Sequence, residues 1–182
     1  LLFLALSVAG GLLRLPLGTQ LVGLRTGALA TALFAASHEF LYHARFIAPD
    51  ALLGACLLLC FAGIASADRT RRARGLLLAA VAAGLATSAK YTGVFLVLPV
   101  ALAGPLLRLG TPARAWTRAA GLCAVAAATF LLTTPGALLE TGKLLEHVRL
   151  QAEVYAAGHR VYTVDAGWEH VLRMLEYGTT QL

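Results

Sequence analysis

From Gly75 to Leu107 the chain runs 33 residues with a single charge, Lys90. As one helix that run would measure about 50 Å, against a bilayer hydrocarbon core of about 30 Å. It would also put its two flanking basic loops on opposite sides of a membrane. Two helices meeting near Lys90-Tyr91-Thr92-Gly93 fit both facts, with Gly93 relaxing the turn. A lysine at the centre of a membrane helix costs about 2.5–3.5 kcal/mol. Lys90 is therefore expected to face a cavity, bind something, or sit at a membrane edge.

The rest of the chain agrees with a membrane setting. It is 59% hydrophobic and 13% charged, with a mean hydropathy of +0.76. Soluble domains carry about 25% charged residues, so a water-soluble domain is excluded. Apolar runs lie at 1–13, 22–37, 47–66, 75–89, 91–107 and 117–134. They predict an all-α, polytopic transmembrane bundle of about six spans over residues 1–134. An external segment follows over 135–182. Leu1-Leu2-Phe3-Leu4 reads as the interior of a helix, not as a signal peptide. The expectation is a piece of a longer protein, cut before Leu1 and again at its C-terminal end.

Charge placement orients the spans. Arg14, Arg25, Arg69, Arg71, Arg72, Arg74, Arg108, Arg114 and Arg118 all fall in connections on one face, opposed there by Asp68 alone. The positive-inside rule makes that face cytoplasmic. Glu39, Arg45, Asp50 and Lys90 cancel on the other face, and the segment after Pro135 is net acidic. The overall +6 is thus a topogenic signal and not a nucleic-acid patch. Residues 38–50, 90–93 and 135–182 share the extracytoplasmic side of a cell (inner) membrane.

The external segment is not a span. Leu138, Leu139, Leu145 and Val148 recur at helical spacing within 136–157, and Trp168, Val171, Leu172 and Leu175 do so within 166–177. Both stretches predict amphipathic helices lying at the interface.

Candidate sites are few. His38-Glu39 suggests a zinc protease, but the second histidine of that motif belongs at i+4, where Tyr42 stands; His43 is at i+5. Cys56, Cys60 and Cys123 sit in apolar runs as packing residues, and no metal site is expected. Asp50 follows Pro49 at a helix start, where an acid is favoured by the helix dipole. It either pairs structurally with Arg45 or orients Arg45 toward an anion, for which a guanidinium fork is suited. Lys90 either snorkels to the headgroups or supplies a point charge to a phosphate. His159 and Arg160 form a solvated turn or touch a sugar or phosphate. Gly23 and Gly27, four apart, suggest close helix packing. Glu39 and Asp50 are conceivable bases, but each has a structural partner nearby.

Three segments carry a resemblance: His43-Ala44-Arg45-Phe46-Ile47-Ala48-Pro49-Asp50-Ala51-Leu52-Leu53, Thr87-Ser88-Ala89-Lys90-Tyr91-Thr92-Gly93-Val94-Phe95, and Thr134-Pro135-Gly136-Ala137-Leu138-Leu139 continuing to Tyr155-Ala156-Ala157-Gly158-His159. Their order and spacing resemble the membrane-embedded GT-C glycosyltransferases of the protein-O-mannosyltransferase type (glycosyltransferase family 39). The resemblance implies a GT-C-like bundle and sugar transfer from a polyprenyl-phosphate-linked donor to an acceptor hydroxyl, with no cofactor. It implies that Arg45 and Lys90 lie by the donor phosphate, with His43, Asp50, Tyr91 and His159 in support. The family's catalytic acid precedes the region matching Leu1, so no catalytic base is assigned within this chain. Two other readings stand beside it, a multipass transporter coupled through Lys90 and Asp50, and a lipid-phosphate-binding protein without catalysis. The transporter would be expected to show an internal repeat, and none is visible.

Overall fold

In a computed structural model, residues 17–19, 23–36, 49–157, 168 and 171–172 are described. Among them every regular element is a helix. The helices are α1 (Leu24–Ala36), α2 (Pro49–Thr70), α3 (Arg74–Ala89), a 3₁₀ segment (Tyr91–Leu96), α4 (Val97–Leu106), α5 (Pro112–Thr133), α6 (Gly136–Leu139) and α7 (Thr141–Ala157).

The long apolar run divides where the charge stands. α3 stops at Ala89, and Lys90 takes an extended conformation (φ −155°, ψ 136°). Pro99 shows why the next stretch begins as 3₁₀. Its ring would collide with the carbonyl four residues back, so an α-helix cannot run from Lys90 through Pro99; Pro99 is tolerated only in the first turn of α4. Pro105 lies inside α4, which ends at Leu106 just before the left-handed Arg108 (φ 50°). Gly93 does not supply a left-handed turn, because the positive-φ glycines are Gly23 and Gly110. Its role is close approach: a Cβ there would strike the Ala86 carbonyl of α3. Gly23 and Gly27 divide their roles likewise. Gly23 (φ +89°) bends the chain into α1 with open space around it, and Gly27 packs against the Gly18 and Thr19 backbone.

α3 is the centre of the bundle. Leu76, Ala79, Ala80, Ala82, Ala83, Gly84 and Ala86 are all buried along it. Small residues on every side let three neighbours approach its backbone. A Cβ on Gly63 of α2 would sit 2.6 Å from the Gly75 carbonyl, and one on Gly84 would meet Thr129 Cβ of α5 at 2.6 Å. Backbone proximity of this kind drives helix association where lipid supplies no hydrophobic force. Cys56 and Cys60 complete the core from α2 as buried free thiols, and Cys123 is half-buried.

The described residues do not confirm all six spans. Among the described residues only α2 and α5, 22 residues each, are long and apolar enough to cross a membrane. At about 33 Å each they match the hydrocarbon thickness. α3, and Tyr91–Leu106 taken together, are shorter apolar helices. Sixteen residues of α3 give about 24 Å. The run from Tyr91 to Leu106 reaches about 27 Å, because a 3₁₀ turn rises about 2.0 Å per residue. α1 has 13 residues, about 20 Å, and the run at 1–13 lies outside the described residues.

Connections are short. Residues 71–73 join α2 to α3, and 107–111 join α4 to α5, so the elements alternate in direction. One end of the bundle gathers the starts of α2 and of the 3₁₀ segment with the ends of α3 and α5. The opposite end gathers the two arginine-bearing connections. Beyond α5, α6 and α7 extend with most side chains exposed, Leu139 at 83% among them.

Candidate functional site

The polar groups at the first end come from four elements. Asp50 occupies the first turn of α2, and Lys90 caps the end of α3. Their side chains meet, with Lys90 Nζ donating to Asp50 Oδ1 at 2.7 Å. Each partner sits where a helix dipole favours its sign, the carboxylate at a helix N-terminus and the ammonium at a helix C-terminus. The backbone fixes Lys90 as well: its N–H donates to the Ala86 carbonyl, and its own carbonyl accepts from the Gly93 N–H at 2.8 Å. The pair is half-buried, with 35% of the Lys90 side chain and 39% of that of Asp50 still accessible. An ammonium holding one carboxylate keeps two further donors for an arriving anion.

A second polar contact lies one helix over. Ser88 Oγ and Thr133 Oγ1 are 2.6 Å apart, joining α3 to the end of α5. Each hydroxyl also has a carbonyl acceptor one turn back, Gly84 for Ser88 and Thr129 for Thr133. This contact ties together two helices that bear on the Lys90 end. Tyr91 and Thr92 begin the 3₁₀ segment and are exposed.

The structure pairs Asp50 with Lys90, forty residues away; the Arg45 contact that the sequence suggests lies outside the described residues. Arg45, His43, His38 and Glu39 lie outside the described residues, as do His159 and Arg160. Lys90 is half of an inter-helix ion pair. The Ser88–Thr133 contact has no mark in the sequence beyond Ser88 lying two residues before Lys90. Among the described residues no three His, Cys, Asp or Glu side chains come together as metal ligands.

A family model described as dolichyl-phosphate-mannose-protein mannosyltransferase matches residues 2–140. The match spans α1 through α6 and contains both partners of the ion pair. No match was found among curated proteins or among solved structures.

Proposed function

The chain belongs to the dolichyl-phosphate-mannose-protein mannosyltransferase family, and from that membership we propose that its Lys90 end receives the phosphate of a lipid-linked sugar donor. Membership makes it part of a membrane glycosyltransferase of the mannosyltransferase type. The finer reading is a polyprenyl-phosphate-sugar donor, an acceptor hydroxyl, and transfer on the extracytoplasmic side of the membrane. Lys90 and Arg45 are the donor-phosphate cations, with His43, Tyr91 and His159 in support. Asp50 aims the Lys90 ammonium.

The observation that carries this reading is the half-exposed Lys90–Asp50 pair at the end of the bundle away from the arginine loops. In the transfer, the acceptor oxygen loses its proton to a carboxylate and bonds to the anomeric carbon. The bond from that carbon to the phosphate oxygen breaks, and the lipid phosphate leaves with the electron pair. Negative charge grows on the leaving phosphate. A cation already fixed by a helix end and a carboxylate stabilises it without reorganising. Asp50 is engaged by Lys90 and is not assigned as the base.

The test is sugar release from a polyprenyl-phosphate-sugar by the full-length protein in membranes. Lys90→Ala and Arg45→Ala are each expected to lower turnover strongly at normal expression. Wild-type turnover in both variants rules out the phosphate site.

A further inference from the structure

The opposite end of the bundle carries a different concentration of charge. The first turns of α3 and α5 meet there around Gly104 of α4. A Cβ on Gly104 would lie 3.7 Å from the Ala115 carbonyl and 4.0 Å from Leu76 Cδ1. Arg74 and Arg114 flank those contacts in sequence, so the two arginine-bearing connections form one rim. Arg69, Arg71, Arg72, Arg74, Arg108 and Arg114 are exposed on it. Arg118 is turned inward, and its guanidinium donates to the Leu109 carbonyl.

This rim is short of counter-charge. Its one carboxylate, Asp68, is taken by Arg71 at 3.3 Å. Neither α3 nor α5 has an acid in its first turn. Among the described residues Arg69, Arg72, Arg74, Arg108 and Arg114 have no acidic partner. Beside them lie exposed apolar side chains, Leu77, Leu78, Leu106 and Trp116. Trp is the residue type that settles at headgroup level. Cations bordering an apolar belt match the layout of a phospholipid, with its phosphate above its acyl chains. All the rim cations are arginine, although lysine would serve the positive-inside rule equally well. What arginine adds is a planar fork that grips two phosphate oxygens together.

We propose that this rim is a binding surface for anionic phospholipid headgroups. Guanidinium forks of Arg72 and Arg74 at the start of α3, and of Arg108 and Arg114 around the α4–α5 connection, hold the headgroup phosphodiester. The acyl chains lie along Leu106 and Trp116. The surface is separate from the Lys90 end and does not depend on the donor reading.

The test titrates the full-length protein in detergent with phosphatidylglycerol or phosphatidylcholine. Bound lipid is counted by native mass spectrometry, and sugar transfer is assayed on the same preparation. Phosphatidylglycerol is expected to bind in preference to phosphatidylcholine. Arg72→Gln with Arg74→Gln should weaken phosphatidylglycerol by roughly 25-fold, about fivefold per arginine, without changing phosphatidylcholine. The Arg72→Lys, Arg74→Lys, Arg108→Lys and Arg114→Lys combination keeps the charge, and with it the inserted orientation, and should still weaken phosphatidylglycerol severalfold. Equal binding of the two lipids overturns the proposal, as does undiminished phosphatidylglycerol binding in the glutamine or the lysine variant. Displacement of phosphatidylglycerol by inorganic phosphate at equal concentration would mark a soluble-anion site and also overturn it. Loss of lipid preference with transfer intact condemns the rim alone; lost transfer with the preference intact condemns the glycosyltransferase reading alone.

Discussion

At the scale of single residues, the Lys90–Asp50 pair gives the site its geometry and its vulnerability. A fully exposed pair contributes about 0–1 kcal/mol, so this one is expected to add little to stability in water. Its value is positional, and that predicts a dissociation of effects. Lys90→Ala should lower kcat/KM for sugar transfer by about 10²–10³, the usual cost of removing one preorganised charge from a developing anion. Thermal stability of the purified protein should shift little. Asp50→Asn should leave the ammonium present but unaimed, with a smaller loss seen mainly in kcat. An Asp50→Asn loss equal to that of Lys90→Ala would mean that the carboxylate has a direct chemical role. The sequence made both residues visible as costly charges in apolar surroundings. It could not pair them, because Lys90 becomes the neighbour of Asp50 only after α2 and α3 have packed.

Among the elements, glycines set how closely the helices approach. Gly63 and Gly75 press α2 against α3, Gly84 presses α3 against α5, and Gly93 presses the 3₁₀ segment against Ala86. Gly84→Val should force the Ala126–Thr129 stretch of α5 away, at a cost of about 1–3 kcal/mol. It should also pull apart the Ser88–Thr133 contact one turn beyond. Gly121, on the same helix as Thr129, has nothing within 4 Å of where its Cβ would be. Gly121→Ala should therefore be neutral, or stabilising by up to about 1 kcal/mol through helix propensity. Thermal unfolding in detergent compares the two directly. Equal melting temperatures for Gly84→Val and wild type would show that the α3–α5 seam yields freely. Helix existence was legible from hydropathy alone, and the interruption at Lys90 followed from length. The 3₁₀ geometry was not, since it depends on Pro99 acting backwards through a carbonyl. Neither was the use of Gly93, whose partner Ala86 is recognised only once the chain has doubled back.

For the molecule as a whole, the alternation of direction is the property from which the site follows. Counting arginines separated the two faces, and the bundle gathers Arg69 to Arg74 with Arg108 to Arg118 at one end and Asp50 with Lys90 at the other. The number of spans was less legible, because hydropathy does not reveal that α3 and the Tyr91–Leu106 run are shorter helices than α2 and α5. The end of α3 at Lys90 lies level with the start of α2 at Asp50 and the end of α5 at Thr133, so the Lys90 end stands at one face of the bundle. In the proposed reading a lipid phosphate would reach that face from the leaflet and an acceptor from water. This arrangement predicts a two-sided labelling pattern in intact cells. A cysteine at Thr92, exposed beside Lys90, should react with a membrane-impermeant maleimide added from outside. A cysteine at Gly110, in the arginine-flanked α4–α5 connection, should react only after the cells are permeabilised. Cys56 and Cys60 are buried and Cys123 is half-buried, so these three should add little background. Reaction of both engineered sites from the same side would break the alternation and remove the basis for placing the donor phosphate at Lys90. Protection of Thr92 by added polyprenyl phosphate, with Gly110 unaffected, would locate the lipid at the end that the ion pair marks.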